Sequence, residues 1–323
     1  MRRSFRFVFA AMLFFTIFPI WGQSTEYPSR VVRVVVPFPA GGGTDAAGRQ
    51  IAQRLATEVK GEFIVVNQAG AGGNIGALSV AKAPADGYTL LVGTVGTQIV
   101  NKVLFPAVDF DPEQDLVPVG WFSSVPNVLV VNAGSPYRNV EDLISASKSK
   151  PKGLTYGSGG TGSSLHLAVE LLKEMAGMQA IHVPYKGSAP AITDLIGGQF
   201  DFMIDNMTSA KPHIVSGRLR ALAVTTKTRL KAFPEVPALA ETPGLASYEA
   251  VGWTGLLAPR NTSPQVLKRL SDAMSSKNGE DQIRSKVEAT GAEYVGLGAK
   301  EFGEFLKQEK QRWLPIAQKI QKP

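Results

Sequence analysis

From Val31 to Leu55 the chain reads "VVRVVVPFPAGGGTDAAGRQIAQRL". A β-branched run gives way to three glycines, and the apolar positions then recur at the spacing of an amphipathic helix. Sliding the chain against itself shows the pattern twice, at an offset of 117 residues. Gly42-Gly43-Thr44 falls on Gly159-Gly160-Thr161, Leu55 on Leu172, Val66 on Val183, Gly70 on Gly187, Ile75 on Ile192 and Leu78 on Leu195. After a five-residue slip, "DGYTLLVGT" (Asp86 to Thr94) matches the apolar pattern of "GQFDFMIDN" (Gly198 to Asn206). Each copy therefore reads strand, glycine loop, helix, strand, helix, strand, a pair of βαβ crossovers that implies a parallel sheet. The near-helical spacing of Phe302, Phe305, Leu306, Trp313, Ile316 and Ile320 predicts a closing helix with one packing face, kinked or interrupted at Pro315.

Ligands of open parallel sheets bind outside the carboxyl ends of the strands, so two facing copies would aim two glycine loops and two helix N-termini at one cleft. Glycines let a ligand approach the backbone, and the unpaired N–H groups of a helix start favour an anion. A nucleotide fits poorly. Gly41-x-Gly43-x-x-Ala46 meets the dinucleotide spacing, but "EFIVVNQAG" ends in Asn67 and Gln68 where an acidic residue is needed, and Thr44-Asp45 stands where a phosphate-binding loop carries Lys-Ser/Thr.

Composition adds an address. The 323 residues, 44% hydrophobic and 19% charged, are those of a globular protein with a sizeable core. Residues 1–24 carry Arg2, Arg3 and Arg6, an apolar run from Phe7 to about Ile20 and small Gly22 and Ser24, which reads as a cleaved export signal; the run is short for a membrane span and ends at Pro19. The chain has no cysteine, which excludes disulfides and a lipid-modified N-terminal cysteine. Loss of the leader's three arginines lowers the net charge from +7 to +4, and the remaining Lys and Arg are scattered, unlike the basic stripe of a nucleic-acid protein.

Three other constellations fail on spacing. "DFDPEQDLVPVG" alternates Asp109, Asp111, Glu113 and Asp115 like a calcium loop, yet has Gln114 at the sharp-turn glycine position and Gly120 in place of the bidentate glutamate. His166, His182 and His213 are far apart with no cysteines between them, so no metal site is expected. Ser158, Ser163 and Ser164 lie near His166, which keeps an exported hydrolase as an alternative, but no Gly-x-Ser-x-Gly elbow is present and a serine at a helix start is ordinarily a cap.

"YPSRVVRVVVPFPAGGGTD", "VVNQAGAGGNIG", "APADGYTLLVGT", "YGSGGTGSSLHL", "VPYKGSAPAITDLIGGQFDFMIDN" and "GWTGLLAP" together resemble the tripartite tricarboxylate transporter receptors, the Bug or TctC-like solute receptors, over nearly the whole chain after the leader. The resemblance implies a monomeric periplasmic binding protein of type II, α/β in class. Two Rossmann-like lobes with parallel-type sheets would be joined by a hinge of crossing strands and close on a small organic acid that membrane permease subunits receive. Members bind di- and tricarboxylates, acidic amino acids or aromatic acids, without a cofactor, and a ligand-sensing partner of a membrane signalling protein would share the fold. The expected lobes are residues 25–125 plus 255–323, and 126–254. The family's two carboxylate-holding loops correspond to Phe38 to Asp45 and Ser158 to Ser164. The ligand residues expected are Phe38, Ala40, Gly42, Gly43, Thr44, Asp45, Thr97, Ser158, Gly159, Thr161, Gly162, Ser163, Ser164 and Asp205, with Asp205 reading an amino or hydroxyl group. Ala238 stands where the family commonly has Thr, and "APRNTSP" replaces its usual small-residue turn, both outside the two loops.

Overall fold

The computed structural model describes residues 27–321; the expected leader lies outside them. The duplication is visible in the strands. β1 (Val32–Val36), β2 (Phe63–Asn67) and β3 (Thr89–Gly93) alternate with helices Gly43–Val59 and Asn74–Ala81. β6 (Leu154–Ser158), β7 (Ala180–Pro184) and β8 (Phe202–Asn206) alternate with helices Ser164–Ala176 and Ser188–Ile196. The first strand of each set is central, with parallel neighbours β2 and β3 in one case and β7 and β8 in the other. A crossover helix can return a strand only to a parallel position, so the same sequence pattern yields the same strand order twice.

The remaining strands are β4 (Leu116–Val125), β5 (Asn127–Asn132), β9 (Leu219–Val224), β10 (Gly252–Pro259) and β11 (Glu293–Gly298). They extend each parallel trio by antiparallel pairing. The six-stranded sheet runs β11-β4-β10-β3-β1-β2 and the five-stranded sheet β7-β6-β8-β5-β9. Pro126 alone separates β4 of one sheet from β5 of the other, and the chain returns into β10 at Gly252, which pairs with Val125. The two crossings are therefore adjacent. They are tied by the buried Asn127 and Thr225 side chains, which donate to the Ala250 carbonyl at 2.9 and 2.7 Å.

Strand β1 is buried at four of its five positions, as its valine run requires, with Arg33 exposed. One apolar core continues from Val35 and Leu91 of the first sheet to Leu129, Tyr156 and Phe202 of the second, and each sheet packs a separate core on its other face. The closing helix, Ala299–Gln321, buries Phe302 and Trp313 as expected but is not interrupted at Pro315, which lies within it. Its neighbours on both sheets supply enough burial to hold the turn whose hydrogen bond proline removes. Asp111, taken from the calcium-like stretch, caps the short helix Pro112–Asp115 and pairs with Lys102. Among the described residues no helix is long and apolar enough to cross a membrane.

Glu309 holds this helix to the hinge strand β10. One carboxylate oxygen accepts both the Trp253 and the Trp313 indole N–H at 2.9 Å, and the side chain is buried. Glu309→Ala should leave two buried donors without an acceptor and destabilise the protein by about 2–4 kcal/mol, read from urea unfolding. Loss below about 1 kcal/mol would mean that water replaces the carboxylate.

Candidate anion-binding cleft

The chain after β1 has to turn sharply from strand into helix. Gly41 adopts φ +88°, a left-handed conformation that a side chain would oppose, and Gly42 caps helix Gly43–Val59 with backbone only. After β6 the same task falls to Gly160 (φ +124°) and Gly162 (φ +81°), and the Ser163 hydroxyl caps helix Ser164–Ala176 by accepting from the His166 N–H at 3.2 Å. A third helix start joins them: Gly187 and Ser188 open helix Ser188–Ile196 after β7.

The three starts border a cavity of about 40 Å³ between the lobes. One wall is Phe38, Pro39, Gly42, Gly43 and Thr44, and the facing wall is Gly159, Ser163, Ser164 and Leu165. Gly187, Ser188 and Ala189 with the strand ends Thr94 and Asn206 complete it. No lining residue is charged. Three helix N-termini with the hydroxyls of Thr44, Thr94, Ser163, Ser164 and Ser188 make an electropositive, neutral-donor site suited to a carboxylate-sized anion. An adjoining cavity of about 200 Å³ shares Phe38 and Gly159 and holds Thr161 with Phe105, Tyr185 and the exposed Lys186.

Of the residues expected from sequence, the small cavity thus collects Phe38, Gly42, Gly43, Thr44, Gly159, Ser163 and Ser164. The others lie outside its wall, most of them with an internal task. Asp45 is buried and accepts from the Gly41 N–H, Asn67 and Arg49; burial alone would raise its carboxyl, but these bonds bring it below the usual carboxylate range. Asp45 therefore staples its own loop. The Thr97 hydroxyl accepts from the Thr94 N–H at 3.1 Å. Ser158 is fully buried and bonds Gly160 and, at 2.6 Å, His182 Nε2. Ala40 and Gly162 belong to the loops without lining the cavity. Asp205 is fully buried behind the wall: Oδ1 accepts from the Ser188 hydroxyl at 2.6 Å and the Asn206 N–H at 2.7 Å, and Oδ2 has no partner. Burial pushes this carboxyl up to about 7 against the lowering effect of those two bonds.

Sequence reasoning missed Thr94, Leu165, Gly187, Ser188, Ala189 and Asn206, and covered Pro39 only within its loop. The repeat had already placed Gly187 opposite Gly70, and "KGSAP" at the start of a helix was the available signal. Asn206 also links cleft to hinge, because its side-chain amide donates to Asn127 at 2.7 Å. The Ser158–His182 contact has the form of a nucleophile and base, yet it lies inside the lobe, where His182 stacks on His166 at 4.1 Å and on Tyr156 at 4.9 Å. Among the described residues no group of three His, Cys, Asp or Glu is placed to hold a metal ion.

The lobes meet through glycine backbone. The Gly43 N–H donates across the cleft to Ser209 at 2.9 Å, and a Cβ at Gly43 would stand 2.2 Å from Thr208 Oγ1. A Cβ at Gly72 or Gly96 would stand 2.4 or 2.8 Å from the carbonyl of Thr161 or Gly162, respectively, and one at Gly187 2.8 Å from Pro39. The seam has no room for a methyl group.

Two α/β lobes, a parallel trio in each, two adjacent crossings and a cleft lined by helix starts define a binding protein of the periplasmic type II class. Within that class, residues 47–322 match the model of the tripartite tricarboxylate transporter family receptor, and the chain belongs to this family. It is 36% identical over 299 residues to protein BugT of Bordetella pertussis, covering 91% of this chain and 90% of that one. Among solved structures it is similar to R. palustris Rpa4515 with adipate (38% identity, TM-score 0.86, covering 90% of this chain and 97% of that one). It is also similar to MatC of Rhodopseudomonas palustris with bound malate (30%, TM-score 0.85, 90% and 100%).

Two measurements test this geometry. Gly43→Ala should hold the seam apart and enlarge the radius of gyration in small-angle scattering by roughly 0.5–1 Å, whereas Gly42→Ala, whose Cβ would meet only Pro39 O at 3.9 Å, should not. Equal radii for both variants would remove the seam as a constraint. The second concerns acid. Burial, followed by the Lys173 charge, holds His166 at about 4; burial, followed by the His166 charge, holds His182 at about 3. The unfolded chain takes up these protons near pH 6.5, so stability should fall from there toward pH 3–4, at up to about 1.4 kcal/mol per pH unit for each imidazole. Melting temperatures between pH 7 and 4 should fall less steeply in His182→Gln than in the parent; parallel curves would exclude the pair as the cause.

Proposed function

We propose that the protein is a periplasmic receptor, exported by residues 1–24, that captures a small organic carboxylate between its lobes as a monomer and passes it to membrane permease subunits. The observation that carries this is the meeting of three helix N-termini in an uncharged cavity at the seam. Family membership and the adipate and malate held by Rpa4515 and MatC support it. The lobes are residues 25–125 plus 255–323, and 126–254. One carboxylate group takes donors that remain free among the amides of Gly42, Thr44, Gly159, Ser164 and Ser188 and the hydroxyls of Thr44, Ser163, Ser164 and Ser188. The rest of the acid extends past Phe38 toward Thr161 and Lys186 in the adjoining cavity. Because the acid touches both lobes, it binds the closed state more tightly and shifts the population toward it.

A thermal-shift screen of residues 25–323 against adipate, malate, citrate, glutamate and benzoate tests the reading. At a hundredfold excess over Kd an acid that binds only the folded protein adds about 2.7 kcal/mol, a rise of at least about 3 °C. A flat response to every acid of the panel would overturn the carboxylate assignment.

A further inference from the structure

Ser188 stands between the cavity and a buried acid. The residue lines the cavity, and its hydroxyl proton is committed backwards to Asp205 Oδ1 at 2.6 Å. While Asp205 is ionised, the Ser188 hydroxyl offers a bound carboxylate lone pairs and no donor. A second carboxylate then stands one hydroxyl away, in a part of the protein that water does not reach. The second oxygen, Oδ2, is buried with no hydrogen-bond donor, an arrangement that suits half of a neutral carboxylic acid better than half of an anion.

We propose that capture of an organic anion in this cavity is coupled to uptake of one proton by Asp205: the neutral carboxyl donates to Ser188 Oγ, and the Ser188 hydroxyl proton turns to the bound carboxylate. The proton comes from solvent and no covalent bond changes. Asp205 acts through Ser188 and is a positioning residue. The Asn206 N–H continues to donate to Oδ1, so the second cavity residue bonded to Asp205 keeps its place.

The charged groups on the elements around β8 have other partners, and His213 Nδ1, a buried imidazole nitrogen without a partner, is not bonded to Asp205. On helix Ser164–Ala176, Glu170 binds Tyr156 and Lys173, beside His166; on helix Ser188–Ile196, Asp194 binds Tyr185. On helix Met207–Val215, Lys211 binds the Ala289 carbonyl and His213 is neutral-biased by burial. His182 of β7 binds Ser158, and Arg220 of β9 binds three loop carbonyls. Across the cleft Asp45 is held by its own loop. The carboxyl of Asp205, poised at about 7 by burial and its two bonds, receives no contribution from a neighbouring charge. An arriving anion is the one charge that raises it further.

The inference rests on the carboxylate reading given above. Titration calorimetry of residues 25–323 with adipate and with malate, both fully ionised from pH 7 to 9, in phosphate and in Tris buffer, counts the protons taken up per ligand bound. The expected uptake approaches one at pH 8.5, and affinity should fall about tenfold per pH unit above pH 7.5. Asp205→Asn should abolish the uptake and flatten the pH profile, and Ser188→Ala should weaken binding and reduce the slope. Binding with no proton uptake and an affinity constant from pH 7 to 9 would overturn the coupling and leave the carboxylate reading standing. A slope that survives in Asp205→Asn would overturn it equally. If Asp205→Asn does not fold, the proton count of the parent decides alone. Binding of neither acid would remove the carboxylate reading, and the coupling with it.

Discussion

A helix cannot satisfy its own first N–H groups, and this one shortfall organises the molecule. Each lobe carries the remedy that its sequence allows. Glycine turns bring the orphan donors to the surface of the seam, Ser163 answers one from its own chain, and Ser209 answers the Gly43 N–H from the other lobe. What remains unanswered faces a cavity without charged side chains, where a carboxylate oxygen is the complementary partner. The parallel strand trios exist, in this sense, to aim the helices: a βαβ unit places every helix start at the carboxyl edge of its sheet.

Much of this was legible in the sequence because repetition amplifies a weak signal. One glycine-rich turn after a valine strand says little, whereas two at an offset of 117 residues specify paired crossovers, and β1 and β6 indeed occupy the middle of their parallel trios, each second from a sheet edge. The residues that line the cavity were legible only in part. A polar side chain beside a glycine loop can face the gap or turn back to hold the loop, and periodicity does not distinguish the two. Asp45, Thr97 and Ser158 turn back, each bonded to a backbone N–H of its own loop or strand end. Ser188 and Asn206 line the cavity; the repeat located the helix start and the strand end that carry them, but not which way their side chains turn.

The hinge and the cleft share a hydrogen-bonded path. Asn206 lines the cavity and donates to Asn127, which donates to the Ala250 carbonyl, and Thr225 donates to that same oxygen. Val125 and Gly252, the last and first residues of the crossing strands, pair immediately beside this chain of amides. Asn206 is therefore joined to the crossings by three short hydrogen bonds as well as by apolar packing.

The glycine seam also bears on how such a receptor could be redirected. Positions 72, 96 and 187 are closed to any larger residue by backbone or proline on the facing lobe, and position 43 by the Thr208 and Asn206 side chains. The small cavity consequently combines closed glycine backbone with short hydroxyl side chains, and has little room for larger ones. The adjoining cavity is built differently, with Phe105, Tyr185 and Lys186 contributing ring faces and an exposed cation on one rim. Diversification of acid choice, natural or engineered, has its room there. The constant end of the cleft can keep the same grip while the other end is rebuilt one side chain at a time.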